Sequence, residues 1–504
     1  MEFFFQPLNW LTFLPLLGML AILSIDTANK DKIRWIALVT TIVTFVISLW
    51  ILVLFDAQDP NLQLEARYSW LQLAGLQVEY HLAIDGLSIL LVLLTTFLAP
   101  LCVLSTWTAI TEQVKTFMVL FLLLEVNMLG VFLAQDLFLF YVFWELSLVP
   151  MYFIIALWGG PKRGYAALKL FLYTMAGSIL MLVGIIFLGT KTGTLDLPTM
   201  QERLPELYQT GIITWNVQLL LFLAFVIAFA IKVPMWPVHS WLPDAHTEAP
   251  TAGSVILAGV LLKMGTYGFL RFVLPVFPLV SLQAAPWFAL LATIGILYGA
   301  WVSYAQQDIK RLVAYSSVSH LGFVMLGLFA LNTQGITGAI LQMINHGIST
   351  SALFLLIGIL YEQTHTRDIK VYGGLWRLTP WLGTITLISV LSSMGLPGLN
   401  GFIGEFIILL GAFGSEAIGS PWYAGFAAIG VIMAAIYLLY MFQGVFLGAD
   451  GEITKQYTLR DINQRELIIM IPLVILMFWI GLYPQPFFDI LAPAVSKLVA
   501  TIPL

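Results

Sequence analysis

Charge is what this chain has least of. Asp, Glu, Lys and Arg together make up 10% of its 504 residues, while 60% are hydrophobic. A soluble domain carries roughly a quarter of its residues as charges. The mean hydropathy of +0.94 points the same way. So few charges cannot cover a water-facing surface, so the main solvent of this chain is lipid. The net charge of −5 is scattered and forms no basic patch, which excludes nucleic acid as a partner. Cysteine is nearly absent. Cys102 stands alone in an apolar run, which excludes an internal disulfide and a thiolate metal cluster. Haem-attachment motifs, glycine-rich nucleotide loops and P-loops are missing as well. No cofactor or metal site is expected in this chain, and any redox chemistry belongs to other chains. The N-terminus, Met1-Glu2-Phe3-Phe4-Phe5, lacks the basic region and small-residue cleavage site of a secretory signal. The first span is therefore expected to be retained.

Apolar runs long enough to cross a bilayer recur along the whole chain, separated by short polar loops. They predict an all-α polytopic membrane protein of about fourteen helices. These fall near 8–25, 33–55, 84–107, 116–134, 136–158, 165–190, 217–246, 251–274, 286–306, 309–331, 335–362, 381–414, 421–447 and 466–490. The longest polar connections, near 56–80 and 191–216, are too small to be independent domains. We read residues 1–504 as one membrane domain, divided into 1–110, 116–274, 286–447 and 466–504. Basic residues set the orientation. Loops after odd-numbered spans hold Lys30, Lys32, Lys115, Arg163, Arg367 and Arg460 among others, against only Arg67, Lys191, Arg203, Arg271 and Lys497 on the other side. The basic loops are expected in the cytoplasm and both termini outside.

Two spans are interrupted near their middles. The seventh contains Lys232-Val233-Pro234-Met235-Trp236-Pro237, and the twelfth Gly395-Leu396-Pro397-Gly398-Leu399-Asn400-Gly401. Proline removes an amide donor and clashes with the preceding turn, so each helix should break there. A break at membrane depth survives only where protein or water satisfies the freed backbone groups. An ordinary proline kink is the plainer explanation for one such site. Two breaks five spans apart point instead to an internal repeat. Gln135-Asp136 before the fifth span matches Gln307-Asp308 before the tenth, and a similar shift puts Ala166 on Ala339 and Ser178 on Ser351. An odd number of spans per repeat inverts the second copy. The expected repeats are spans four to eight and nine to thirteen.

The charges that remain inside spans are the candidates for function. Glu145 lies well within the fifth span, Lys232 ends the first half of the seventh, Lys263 sits about two-thirds along the eighth, and Glu405 follows the break in the twelfth. A buried acid–base pair titrates as a coupled unit, so moving one proton changes the other group's affinity. That coupling is what a proton relay requires. A static salt bridge is the alternative for any single pair, but four ionisable groups in and beside two broken helices exceed it. His320, one helical turn after Ser316, and His346, beside Asn345 and Ser349, add imidazoles within polar stretches of adjacent spans. His239, Asp244 and His246 imitate a metal site, but Pro243 spoils helical ligand spacing. We expect capping and local hydrogen bonding from these three. Asp85 and Asp136 are expected at helix ends, and Glu125 is buried without an assigned role.

Three stretches carry a family resemblance. They are Trp144 to Phe153 (WELSLVPMYF), Pro237 to Gly253 (PVHSWLPDAHTEAPTAG) and Gly401 to Phe406 (GFIGEF). They resemble the antiporter-like membrane subunits of complex I, the NADH:quinone oxidoreductase. His81 to Ser88 and Tyr361 to Asp368 are similar to the M branch of that family. The resemblance runs nearly the full length. It implies fourteen helices, two inverted five-helix repeats, and a role in proton translocation for Glu145, Lys232, Lys263, His320, His346 and Glu405. Glu405 itself favours the M branch, because the sister branches carry lysine there. The resemblance further implies a place in the inner membrane of a bacterium, in lipid. The expected partners are neighbouring antiporter-like and small membrane subunits and a peripheral redox arm. NADH, FMN, iron–sulfur clusters and quinone are expected in those partners. A multi-subunit sodium/proton antiporter of the Mrp type and a quinone-binding redox subunit are the competing classes. A related photosynthetic or hydrogenase-linked complex is a further alternative, because the identity of the electron donor lies in other chains.

Overall fold

The computed structural model describes residues 6–73 and 75–503. The N-terminal pentapeptide read above for a signal sequence lies outside the described residues. Among them are twelve helices long and apolar enough to cross a membrane, and three shorter apolar helices, Pro7–Leu23, Pro380–Ser393 and Asn400–Phe413. Three long helices form the centre. Thr251–Val276 and Thr333–Thr364 are buried along their whole spanning windows, and Ile309–Phe329 nearly so. A helix apolar all round belongs inside a large assembly of helices, and these three carry Lys263, His346 and His320. The helices Lys30–Leu54, Arg163–Thr192, Trp422–Phe446 and Gln464–Leu482 sit at the periphery and expose Val53, Val183, Ile432 and Ile468.

Both expected breaks are present, and a side-chain hydrogen bond reaches a backbone carbonyl at each. The seventh span runs Trp215–Lys232, turns through 233–240, and resumes as Trp241–Glu248. The Trp241 indole Nε1 donates to the freed Ile231 carbonyl at 2.8 Å. The twelfth stops at Ser393 and restarts at Asn400. Gly395 and Gly398 both adopt positive φ there, a conformation that residues with a Cβ enter only under strain. The Asn345 side chain donates to the Asn400 carbonyl at 2.7 Å and ties the break to the central helix.

Four expectations need correction. The fold is helical as expected, but what was read as a polar connection holds an antiparallel hairpin of Gln63–Leu73 and Leu76–Ile84. The third span therefore starts at Ile89 rather than 84, after an Asp85 turn in which the carboxylate accepts from Leu87 and Ser88 amides. The second polar connection holds an amphipathic helix, Leu197–Gln209, capped by Asp196. The final span ends at Leu482, and a separate helix, Gln485–Ala500, follows Pro484. In each case a short amphipathic element was hidden beside stronger apolar signals.

The hairpin is locked down by charge. His81 Nδ1 lies 2.7 Å from Asp196, and Arg67 lies 3.2 Å from the other Asp196 oxygen. Burial alone would push the Asp196 carboxyl upward, but the hydrogen bonds from His81 and Thr199 outweigh it and hold that carboxyl below its ordinary value. Deeper in, Arg271 meets Asp85 at 2.5 Å in a buried pair. Removing one partner leaves an uncompensated charge, which costs about 3–5 kcal/mol. Asp85→Ala should thus lower the thermal midpoint of the membrane-extracted protein sharply. Asp85→Leu combined with Arg271→Met should recover most of the loss. An unchanged midpoint in the single variant would show the pair to be hydrated.

One backbone motif occurs twice. Asp136 caps its helix through the amides of Phe138 and Leu139, while Leu137 and Leu197 bond the carbonyls of Leu195 and Gln135. Asp308 caps through Lys310 and Arg311, while Ile309 and Ile369 bond the carbonyls of Arg367 and Gln307. The first copy joins the hairpin through a bond from the Gln135 amide to the His81 carbonyl. The second bonds the Thr247 carbonyl through Arg367.

Candidate functional site

The sequence places Lys263 in an ordinary helix, but its surroundings are not ordinary. The Thr251–Val276 span contains two π-helical turns, Leu257–Leu261 and Phe269–Val273, with Lys263 in the α-helical stretch between them. Such turns recur at functional positions because they shift side-chain direction and loosen the backbone ladder. The Lys263 ammonium donates to the Ala258 carbonyl, within the first π turn. It also lies 2.7 Å from His346 Nδ1. Glycines allow that approach. A Cβ on Gly259 or Gly347 would collide with Leu98 or Leu94 respectively, and the added Gly347 Cβ would also crowd the Gly259 carbonyl.

From His346 the titratable groups continue toward Glu405, with one interval, His346 to His320, that no hydrogen bond among the described residues spans. The rings of His346 and His320 are 5.9 Å apart between centroids. His320 Nδ1 lies 2.7 Å from Glu405 Oε1, which also accepts from Gln342 Nε2 at 3.1 Å. On the other side of His320, Nε2 is 3.3 Å from the Tyr437 hydroxyl. Lys263, His346, His320 and Glu405 are all buried. They sit on four different segments: three central helices and the second half of the broken twelfth span. The sequence identified these four and not their order of contact. Tyr437 was missed, since its apolar stretch, Ala434-Ala435-Ile436-Tyr437, carries no polar signal. Gln342 was legible in principle, one helical turn before His346 on the same face.

Glu145 and Lys232 are brought near each other but not into contact. Their charges act on one another, yet among the described residues no ion pair joins them. Lys232 instead lies over the Trp144 ring, 5.1 Å from its centroid, a cation–π placement. Glu145 is half-buried beside Ser178, with Oε2 unpartnered among the described residues.

The remaining candidates separate clearly. Asp244 pairs with Lys169 at 2.7 Å and Arg311 at 3.3 Å, in place of the capping expected of it. His239 packs edge-on against Tyr298, with Nδ1 unpartnered. His246 is buried with neither ring nitrogen bonded among the described residues, which corrects the expectation of local hydrogen bonding. Asp136 is the helix cap that was expected. Glu125 is fully buried, with both oxygens unpartnered among the described residues.

This arrangement, broken helices around a line of buried acids and bases, defines a class. Residues 134–433 match the family described as NADH:quinone oxidoreductase/Mrp antiporter, TM, and the chain belongs to that family. Within it the similarity is to subunit M. The chain is 46% identical to NADH-quinone oxidoreductase subunit M of Rhodobacter capsulatus, covering 98% of this chain and 96% of that one. It is 42% identical to NADH-ubiquinone oxidoreductase chain 4 of Marchantia polymorpha, over 98% and 97%. A chain of respiratory complex I from Thermus thermophilus with bound NADH superposes with a TM-score of 0.87 at 32% identity, over 98% of this chain and 99% of that one. A chain of the membrane-bound sulfane sulfur reductase, an archaeal respiratory membrane complex, gives 0.83 at 25% identity, over 95% and 76%.

Proposed function

We propose that this chain is the proton-translocating, antiporter-like M subunit of a respiratory NADH:quinone oxidoreductase. The observation that carries the reading is the contact sequence Lys263–His346–His320–Glu405 through the most buried part of the fold. In this reading Lys263 takes up a proton from the cytoplasmic side. Its ammonium then gives that proton to His346 Nδ1, and His346 passes a proton on to His320, whose ring centroid lies 5.9 Å away. His320 passes the proton to the Glu405 carboxylate, which releases it on the outer side. Every step forms one N–H or O–H bond and breaks another, and no electrons enter this chain. NADH, FMN, iron–sulfur clusters and quinone belong to partner subunits, where quinone reduction drives the cycle. Glu145 and Lys232 act as the switch: a proton gained or lost at one alters the charge felt by the other.

The twice-used capping motif supports two inverted repeats, because one copy meets the hairpin and the other the loops at Thr247. Counting the interrupted twelfth span and Pro7–Leu23 as crossings gives fourteen. The basic loops bond to one another, as Lys30 does to the Thr111 carbonyl and Lys115 to the Leu23 and Ile25 carbonyls. In this reading they lie at the cytoplasmic face of a bacterial inner membrane, with both termini outside.

Membrane vesicles carrying the assembled complex should accumulate protons when given NADH and a quinone, with sodium omitted. Transport that needs sodium but neither NADH nor quinone would replace this reading with an Mrp-type antiporter.

A further inference from the structure

Tyr437 touches the relay without belonging to it. It lies on Trp422–Phe446, a helix that is mostly peripheral, yet its own side chain is fully buried. Both nitrogens of His320 are engaged: Nδ1 by Glu405 Oε1 at 2.7 Å and Nε2 by the Tyr437 hydroxyl at 3.3 Å. The two partners differ in kind. An ionised carboxylate accepts hydrogen bonds and cannot donate them, whereas a phenol does either. A neutral His320 beside the Glu405 carboxylate therefore carries its hydrogen on Nδ1, and the bare Nε2 takes the hydrogen of Tyr437. Both contacts select the same tautomer.

That tautomer has a consequence for direction. Nδ1 meets the carboxylate that receives the proton, so a proton from His346 has to enter His320 at Nε2. While Tyr437 donates to Nε2, the lone pair there is covered and His320 cannot accept. The Tyr437 hydroxyl has a second place to go. Ser316, one helical turn before His320 on the same face, also interacts with it. The Ser316 hydroxyl donates its own hydrogen to the Val313 carbonyl at 2.7 Å, which leaves its oxygen to accept. The hydrogen of Tyr437 thus has two acceptors within reach, and at 3.3 Å its bond to His320 is at the long end of hydrogen-bonding distances.

We propose that the Tyr437 hydroxyl is the gate on the entry nitrogen of His320: donating to Nε2 it closes the relay, and turned to Ser316 it opens it. This rests on the reading of Lys263–His346–His320–Glu405 as a proton path. On opening, an N–H bond forms at Nε2 with the proton given up by His346. The N–H bond at Nδ1 breaks as its proton passes to Glu405 Oε1. The new Nε2–H then donates to the Tyr437 oxygen, whose own hydrogen stays on Ser316. Tyr437 neither gains nor loses a proton, so it is a positioning residue that acts through the histidine.

The test uses the assembled complex in membrane vesicles and reads two quantities: NADH-driven pumping, and the decay of the proton gradient once NADH is spent. Ser316→Ala takes away the open position. It should slow pumping at least about tenfold, with decay as slow as in the parent. Tyr437→Phe keeps the ring and takes away the gate. It should speed the decay and lower net proton accumulation while NADH oxidation continues. Joined in one chain, the two changes should behave as Tyr437→Phe alone, since Ser316 acts only through the hydroxyl. A merely structural role would instead add the two losses. Ser316→Thr keeps an acceptor oxygen and should pump near the parent rate. The fast decay of Tyr437→Phe should vanish when Lys263→Arg is added. Decay that stays fast there runs outside the relay and would overturn the gate alone. So would parent behaviour in either single variant, or equal losses in Ser316→Ala and Ser316→Thr. Parent pumping in Lys263→Arg itself would overturn the relay reading, and the gate with it. If Tyr437→Phe fails to assemble, the contrast between Ser316→Ala and Ser316→Thr decides.

Discussion

Lys263→Arg should abolish proton translocation through this chain as completely as Lys263→Ala, while leaving the complex assembled. Arginine keeps the positive charge and can still bond His346, but it does not give up its proton in a protein. A static hydrogen-bonding role toward His346 would therefore tolerate arginine and suffer from alanine. A carrier role would tolerate neither. The expected loss is about 100-fold or more in throughput, the range for removing a positioned proton-transfer group. Stability is the smaller effect. Alanine removes the partner of one imidazole nitrogen, worth about 1–3 kcal/mol, against burial along the whole of the Thr251–Val276 helix. Proton yield per NADH oxidised, measured in vesicles with assembly checked on native gels, decides the matter. Unchanged yield in either variant would remove Lys263 from the relay.

Glu405→Gln should have an effect of similar size for a different reason. Glutamine is the same shape and still offers an Oε1 acceptor to His320 and Gln342, the two contacts seen at 2.7 Å and 3.1 Å. What it loses is the ability to take a proton and hand it on. The packing around the break should survive, and the proton delivered by His320 has nowhere to go. Glu405→Asp, shorter by one methylene, should keep a reduced activity because the carboxyl remains. Combined with Lys263→Arg, Glu405→Gln should cost no more than either change alone, as for groups that act in series. Near-normal pumping in Glu405→Gln would move the exit to another group, with Tyr437 beside His320 the nearest.

Much of the site was legible because a bilayer makes polarity conspicuous. Lys263, Glu405, His320 and His346 stand in apolar stretches where each costs several kcal/mol unless it is used or paired. The breaks near Pro234 and Pro397 were equally plain, since proline acts locally. His246 was misjudged for the opposite reason. It lies among Asp244, Thr247 and Glu248, where polar neighbours promise hydrogen bonds, and nothing local shows that its ring instead faces Phe354 of another helix. The hairpin at 63–84 was passed over because its alternating pattern sits next to a much longer apolar run. The π turns flanking Lys263 leave no mark in residue type.

The sequence by itself determined the solvent, the breaks and the identity of the stranded charges. Each follows from composition or from the covalent character of single residues. Tertiary structure alone decided which charge touches which. Lys263 and His346 are 2.7 Å apart across two helices because small residues let those helices close. Glu145 and Lys232, no less evident in sequence, remain in each other's field without contact because Trp144 lies under the lysine. Contact between segments far apart in the chain depends on how whole helix faces fit, and no local run of residues encodes that fit.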